Sequence, residues 1–166
     1  MPARMPQAAL FAAAVAALPL AAVAVPRAGD VAPPISLKIL GSGKTQTLAA
    51  FKGKPVYLNF FASWCGPCNE EAPSIVKLYK KYHPQGLVAL GVNELDPEAK
   101  AKSFVDQYKL PFTVLLYDSG STGKDYGTLA LPVHVFIARD GKISTYRLGE
   151  MSNQEIEDAI KEIVKK

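Results

Sequence analysis

Two cysteines occur in the 166 residues, and both lie in one Cys-x-x-Cys, Cys65-Gly66-Pro67-Cys68. That spacing serves a redox pair, half of a zinc site, or a haem attachment. A structural zinc site takes four ligands, typically with a second cysteine pair or two closely spaced histidines. Only His83 and His134 are on hand, far apart in the chain, and they read as structural or surface residues. Covalent haem attachment requires histidine directly after the second cysteine, where this chain has Asn69. The flanking sequence favours the redox pair.

That flanking sequence must position the sulfurs. Val56 to Phe61 is a short β-branched and aromatic run bounded by breakers, as in a central strand buried on both faces. Asn69 to Tyr82 has apolar residues at helical spacing, with Pro73 inside expected to kink the helix. The motif joins the two. Pro67 suits a first helical turn, which places Cys65 at or near the helix N-terminus. Free backbone N–H groups and the helix dipole there favour a thiolate, the attacking species in disulfide exchange. Cys68, one turn further in, is expected to be the less exposed of the two and to resolve the mixed disulfide.

Further along, Ile35 to Leu40 alternates with period two, and Leu87 to Val92 and Phe112 to Leu116 read as strands. A helix is expected to start at Asp96-Pro97-Glu98, with Asp96 as its cap. Asp140-Gly141 between Val133 to Ala138 and Ile143 to Leu148 signals a hairpin. Ser152 and Glu155 form a capping box for a last amphipathic helix. The order of strand, helix, strand, helix, hairpin and helix predicts an α/β domain whose sheet mixes parallel crossovers with an antiparallel end.

The net charge of +4 comes without a Lys/Arg cluster or aromatic–basic interleaving, which argues against a nucleic-acid partner. Residues 1–24 have another character. Arg4 precedes an uncharged Ala/Leu/Val run, and Ala22-Val23-Ala24 offers a cleavage site. This is the layout of a signal peptide, with an uncleaved membrane anchor as the alternative. No cysteine follows the run to carry a lipid. Residues 25–34, with Pro26, Pro33 and Pro34, read as a linker, and 35–166 as the domain. The expected location is the periplasm or cell envelope, with the domain soluble or tethered.

Trp64-Cys65-Gly66-Pro67-Cys68 resembles the active-site motif of the thioredoxin superfamily. The chain is similar to TlpA/ResA-type envelope thiol–disulfide oxidoreductases of the redoxin (AhpC-TSA-like) group, linked to cytochrome c maturation. The resemblance spans roughly Ala32 to Lys166 and includes Gly53-Lys54-Pro55, Leu58 to Ser63 and Leu131-Pro132. It implies a thioredoxin fold: a central mixed sheet flanked by helices, with an N-terminal β extension. It further implies catalytic Cys65 and Cys68, joined as a redox disulfide, and no cofactor. Pro132 matches the cis-proline that faces the cysteines. Trp64, Gly66, Pro67, Leu131 and Pro132 match substrate-contacting positions. Glu71 matches an acidic residue that relays a proton to or from Cys68, and Glu94 a second acid near the site. Thioredoxins proper carry a buried Asp where this chain has Asn59, a departure that favours the envelope group and makes Glu71 the acid.

The resemblance implies reduction of protein disulfides, including those of apocytochromes c, with a membrane thiol donor restoring the dithiol in an oxidising compartment. General oxidation or isomerisation of disulfides is the alternative within the same chemistry. Outside it stands a binding module whose cysteines do no chemistry. A peroxidase would need a Pro-x-x-x-Thr-x-x-Cys pattern, and none is present.

Overall fold

A computed structural model describes residues 25–117 and 122–165. The expected leader, residues 1–24, lies outside them. The central strand forms as its composition requires: β3, Val56–Phe61, is buried at all six positions. Helix α1, Gly66–Tyr82, follows directly and continues through Pro73. Strand β4, Val88–Asn93, helix α2, Glu98–Tyr108, and strand β5, Thr113–Leu116, complete a parallel march, β4 pairing with β3 and β5 with β4. Right-handed crossovers that all step the same way leave their helices on one face. Tyr57 and Phe61 therefore point toward α1 and α2, whereas Val56, Leu58 and Phe60 point into a separate core on the other face.

Strand β6, Val133–Ile137, runs antiparallel to β3, and the hairpin to β7, Ile143–Leu148, turns where Asp-Gly signals it. Gly141 has φ +84°, which suits glycine. Asp140 Oδ1 accepts from the Lys142 N–H at 3.0 Å. Helix α4, Asn153–Lys165, packs Ile156, Ile160 and Ile163 beside Ile75 and Leu78 of α1. Its capping box closes as expected, with Ser152 Oγ donating to Glu155 Oε2 at 2.7 Å and accepting from the Glu155 N–H at 3.3 Å. The short helix α3, Thr122–Asp125, precedes the chain's return into β6.

The N-terminal extension is a hairpin of β1, Ser36–Ile39, and β2, Thr45–Thr47, with β1 also antiparallel to β5. The full order is β2-β1-β5-β4-β3-β6-β7. This is the expected thioredoxin fold, a mixed sheet flanked by helices. Residues 25–34, expected as a linker, bond to the hairpin of β6 and β7. Gly29 N–H donates to Ile143 O at 2.8 Å, Ile143 N–H to Asp30 O at 2.9 Å, and Ala32 N–H to Gly141 O at 3.0 Å. Tyr126, fully buried, donates from its hydroxyl to Pro33 O at 2.6 Å. No helix among the described residues is long and apolar enough to cross a membrane.

Candidate active site

Where β3 ends, Ala62 O accepts from Cys65 N–H at 3.2 Å, and the chain enters α1 with Cys65 as its N-cap. Cys65 and Cys68 are joined as a disulfide. Cys65 Sγ accepts from the Cys68 N–H at 3.2 Å, so the sulfur sits on one of the unpaired donors of the helix start. The same N–H would stabilise a thiolate after reduction. The expected difference in exposure is not seen: Cys65 is 5% and Cys68 4% exposed. Both sulfurs are bonded to each other and pack with Phe61, Ala72, Phe104 and Val114.

The approach to the motif is clamped by residues that sequence reasoning missed. Asp96 was expected to cap α2, but Pro97 holds that position, without a side-chain cap bond. The Asp96 carboxylate instead accepts from Ser63 N–H at 2.7 Å, Ser63 Oγ–H at 2.8 Å and Asn93 Nδ2 at 2.8 Å. Asn69 donates from Nδ2 to Ser63 O at 3.1 Å and Cys65 O at 2.7 Å, and its Oδ1 accepts from Tyr108 Oη at 2.8 Å. Asp96 from one side and Asn69 from the other thus fix the turn that displays Trp64. That indole is 64% exposed, on the surface rather than in the core. Leu95, which precedes Asp96 in the chain, is also exposed and adopts φ +59°, an unfavourable backbone for leucine.

Leu131–Pro132 is cis. The register Phe60↔Val133 sets it beside the end of β3, and Leu131 packs against the group that holds the cysteines. Gly66 and Pro67 form the first turn of α1, and nothing lies within 4 Å of where a Gly66 Cβ would be, so steric fit does not demand glycine there. Glu94 is buried at the end of β4, its N–H donating to Phe61 O at 2.8 Å.

Glu71 is buried on α1, and its Oε1 accepts from Met151 N–H at 2.7 Å. Its Oε2 is 3.2 Å from Nε2 of His134, a residue with no exposed surface. His134 Nδ1 lies 2.8 Å from Tyr57 Oη and 3.5 Å from Asn59 Nδ2. Desolvation, followed by the charge of Glu71, pushes the Tyr57 hydroxyl well above its ordinary pKa. His134 is therefore neither a surface residue nor an isolated structural one. A signal existed: β3 and β6 are continuous apolar runs, each with one polar interruption, Asn59 and His134, and these pair directly. Beside this network lies a cavity of about 590 Å³, lined by Pro67, Glu70, Glu71, Glu150 and Met151 among others.

The redoxin family model matches residues 27–163. The thiol–disulfide oxidoreductase ResA of Bacillus thuringiensis subsp. konkukian is 37% identical over 121 residues, 73% of this chain and 70% of that protein. A Chlorobium tepidum structure assigned as the thiol:disulfide interchange protein DsbE superposes with a TM-score of 0.76 at 29% identity, covering 85% of this chain and 99% of that one. A secreted disulfide oxidoreductase of Mycobacterium tuberculosis superposes at 0.69 with 28% identity, over 77% and 95% of the two chains.

Proposed function

The chain belongs to the redoxin family and is a thiol–disulfide oxidoreductase; from that premise we propose that it reduces protein disulfides outside the cytoplasm, including those of apocytochromes c. The observation that carries the direction of attack is Cys65 at the N-cap of α1, its sulfur on the Cys68 N–H. In the reduced enzyme the Cys65 thiolate attacks a substrate disulfide. One substrate sulfur leaves as a thiolate and takes a proton from water. Cys68 then gives its proton to Glu71 and attacks Cys65 Sγ, and the second substrate sulfur leaves. Two electrons pass from the dithiol to the substrate, and the Cys65–Cys68 disulfide remains.

Trp64 and Leu131 offer apolar contact to the substrate chain beside the disulfide. Cis-Pro132 and the Gly66-Pro67 turn shape the surface that the substrate backbone meets, and Glu94 serves as an auxiliary acid. A membrane thiol donor re-reduces the pair. The uncharged run in residues 1–24, as signal or tether, supports the external location, as does likeness to a secreted relative.

The test is Cys68→Ser, purified from the envelope without reductant. Cys65 can attack but nothing resolves the adduct, so covalent partners that dithiothreitol releases should accumulate. Cys65→Ser should hold few. Trapped apocytochromes c support the proposed substrate, and a broad set of secreted proteins points to general disulfide exchange. Equal trapping by both variants refutes Cys65 as the attacking thiol. No trapping favours a binding module.

A further inference from the structure

The buried pair of Glu71 and His134 raises a protonation question that the geometry answers. Glu71 Oε2 and His134 Nε2 face each other at 3.2 Å, and neither atom has another partner among the described residues. If neither carried a proton, two lone pairs would confront each other in a dry site. One of them must donate. The other ring nitrogen decides which. His134 Nδ1 lies 2.8 Å from Tyr57 Oη, within good hydrogen-bonding distance. The Tyr57 ring stacks on Phe136, with centroids 4.6 Å apart, and its buried hydroxyl keeps its proton. Tyr57 O–H therefore donates to Nδ1, which leaves the neutral imidazole protonated at Nε2 and pointing at the carboxylate.

We propose that His134 is a positioning residue for the exchange reaction: held by Tyr57 in its Nε2–H form, it fixes the Glu71 carboxylate as proton acceptor for Cys68. This rests on the proposed role of Glu71. When Cys68 loses its proton to Glu71, the carboxyl takes it on a lone pair that faces neither Nε2–H nor Met151 N–H, and the hydrogen bonds from Nε2–H to Oε2 and from Tyr57 O–H to Nδ1 stay as they are. No charge is added beyond the single proton that left Cys68, and Met151 N–H holds Oε1 throughout.

The groups around the pair come from every packed element. Strand β3 brings Tyr57 and Asn59, and α1 brings Glu70, which lines the cavity beside Glu71. Arg147 stands opposite His134 on β7 but pairs with Glu155 at 3.3 Å, and Glu150 precedes α4. Tyr57 and Asn59 are the side chains within reach of Nδ1, and Glu71 the one at Nε2.

The experiment uses the full chain in two measurements. Long-range proton–nitrogen NMR of the oxidised protein should show His134 protonated at Nε2 and bare at Nδ1. The opposite tautomer overturns the proposal. Stopped-flow resolution of a mixed disulfide with thionitrobenzoate is then followed from about pH 5 to 9 for the wild type, E71Q, H134L, H134Q and Y57F. E71Q and H134L should each slow resolution on the order of tenfold. Both should lose the same inflection in the pH profile, while the first attack by Cys65 keeps its rate. H134Q, whose amide can replace the Nε2–H donor, should recover the wild-type profile, and an H134Q as slow as H134L overturns the donor role. If E71Q is slowed and H134L keeps the wild-type profile, His134 positions nothing and the proposed role of Glu71 stands. If E71Q itself is unchanged, the reading of Glu71 fails. Should H134L not fold, Y57F decides: it must release the Nε2–H preference in the spectrum.

Discussion

Replacing Asp96 with alanine tests whether the turn before the motif is held from outside. The carboxylate accepts three hydrogen bonds at 2.7 to 2.8 Å, two of them from Ser63. Hydrogen bonds to a charged group contribute about 1.5–3 kcal/mol each when buried. Asp96 and Ser63 are only partly buried, so water recovers some of this on substitution. The three bonds also act on one loop and will not add fully. A loss of about 2–3 kcal/mol is expected, or roughly 5–10 °C in Tm for a domain of this size. Urea unfolding of the oxidised protein measures it. Ser63→Ala alone should cost about 1 kcal/mol, and the double variant little more than Asp96→Ala, because the hydroxyl and the carboxylate serve each other. Insulin reduction should slow in Asp96→Ala, since Trp64 loses its fixed base. A loss below about 0.5 kcal/mol, within the range of ordinary surface changes, together with full activity, would refute the clamp.

Three further outcomes are expected. Alkylation of reduced Cys65 should show a midpoint well below the free thiol value of about 8.5, and a midpoint at or above it would exclude stabilisation by the helix start. Glu71→Gln should slow exchange while leaving far-UV circular dichroism and cooperative unfolding intact, because the amide oxygen can still accept from Met151 N–H. Ser152→Ala should cost about 1 kcal/mol by removing the cap of α4. It should also flatten the acid side of the stability profile. The hydrogen bonds of Ser152 hold the Glu155 carboxyl below its ordinary pKa, a contribution present above the ordinary carboxylate range and lost as pH falls through it. Urea midpoints from about pH 3 to 7 would show this.

The features legible in the sequence are those that declare themselves within a few residues. Val56 to Phe61 names a buried strand by composition, Cys65 to Cys68 names the chemistry, and Asp140-Gly141 and Ser152 with Glu155 name a turn and a cap. The missed features depend on distant pairing. Strand β2 is three polar, partly exposed residues, and only β1 makes it a strand. Asp96 looked like a cap because Pro97 follows it, yet its partner Ser63 is 33 residues earlier. His134 meets Glu71 only because β6 pairs with β3 in a register that no local pattern sets. A single polar residue inside each of two apolar runs was the available clue, and it gains meaning only once the runs are known to be neighbours.

The bonding of residues 29–32 to the hairpin of β6 and β7 bears on how the molecule avoids its own kind. An open sheet ends in two margins of unpaired N–H and C=O groups, and such margins recruit strands from other chains into aggregates. At one margin β2 is only three residues long, too brief a template for another chain to extend. At the other, Gly29, Asp30 and Ala32 occupy the backbone groups of Ile143 and Gly141 that a foreign strand would need. The stretch entering the domain thus shields the start of β7 from zipper-like self-association.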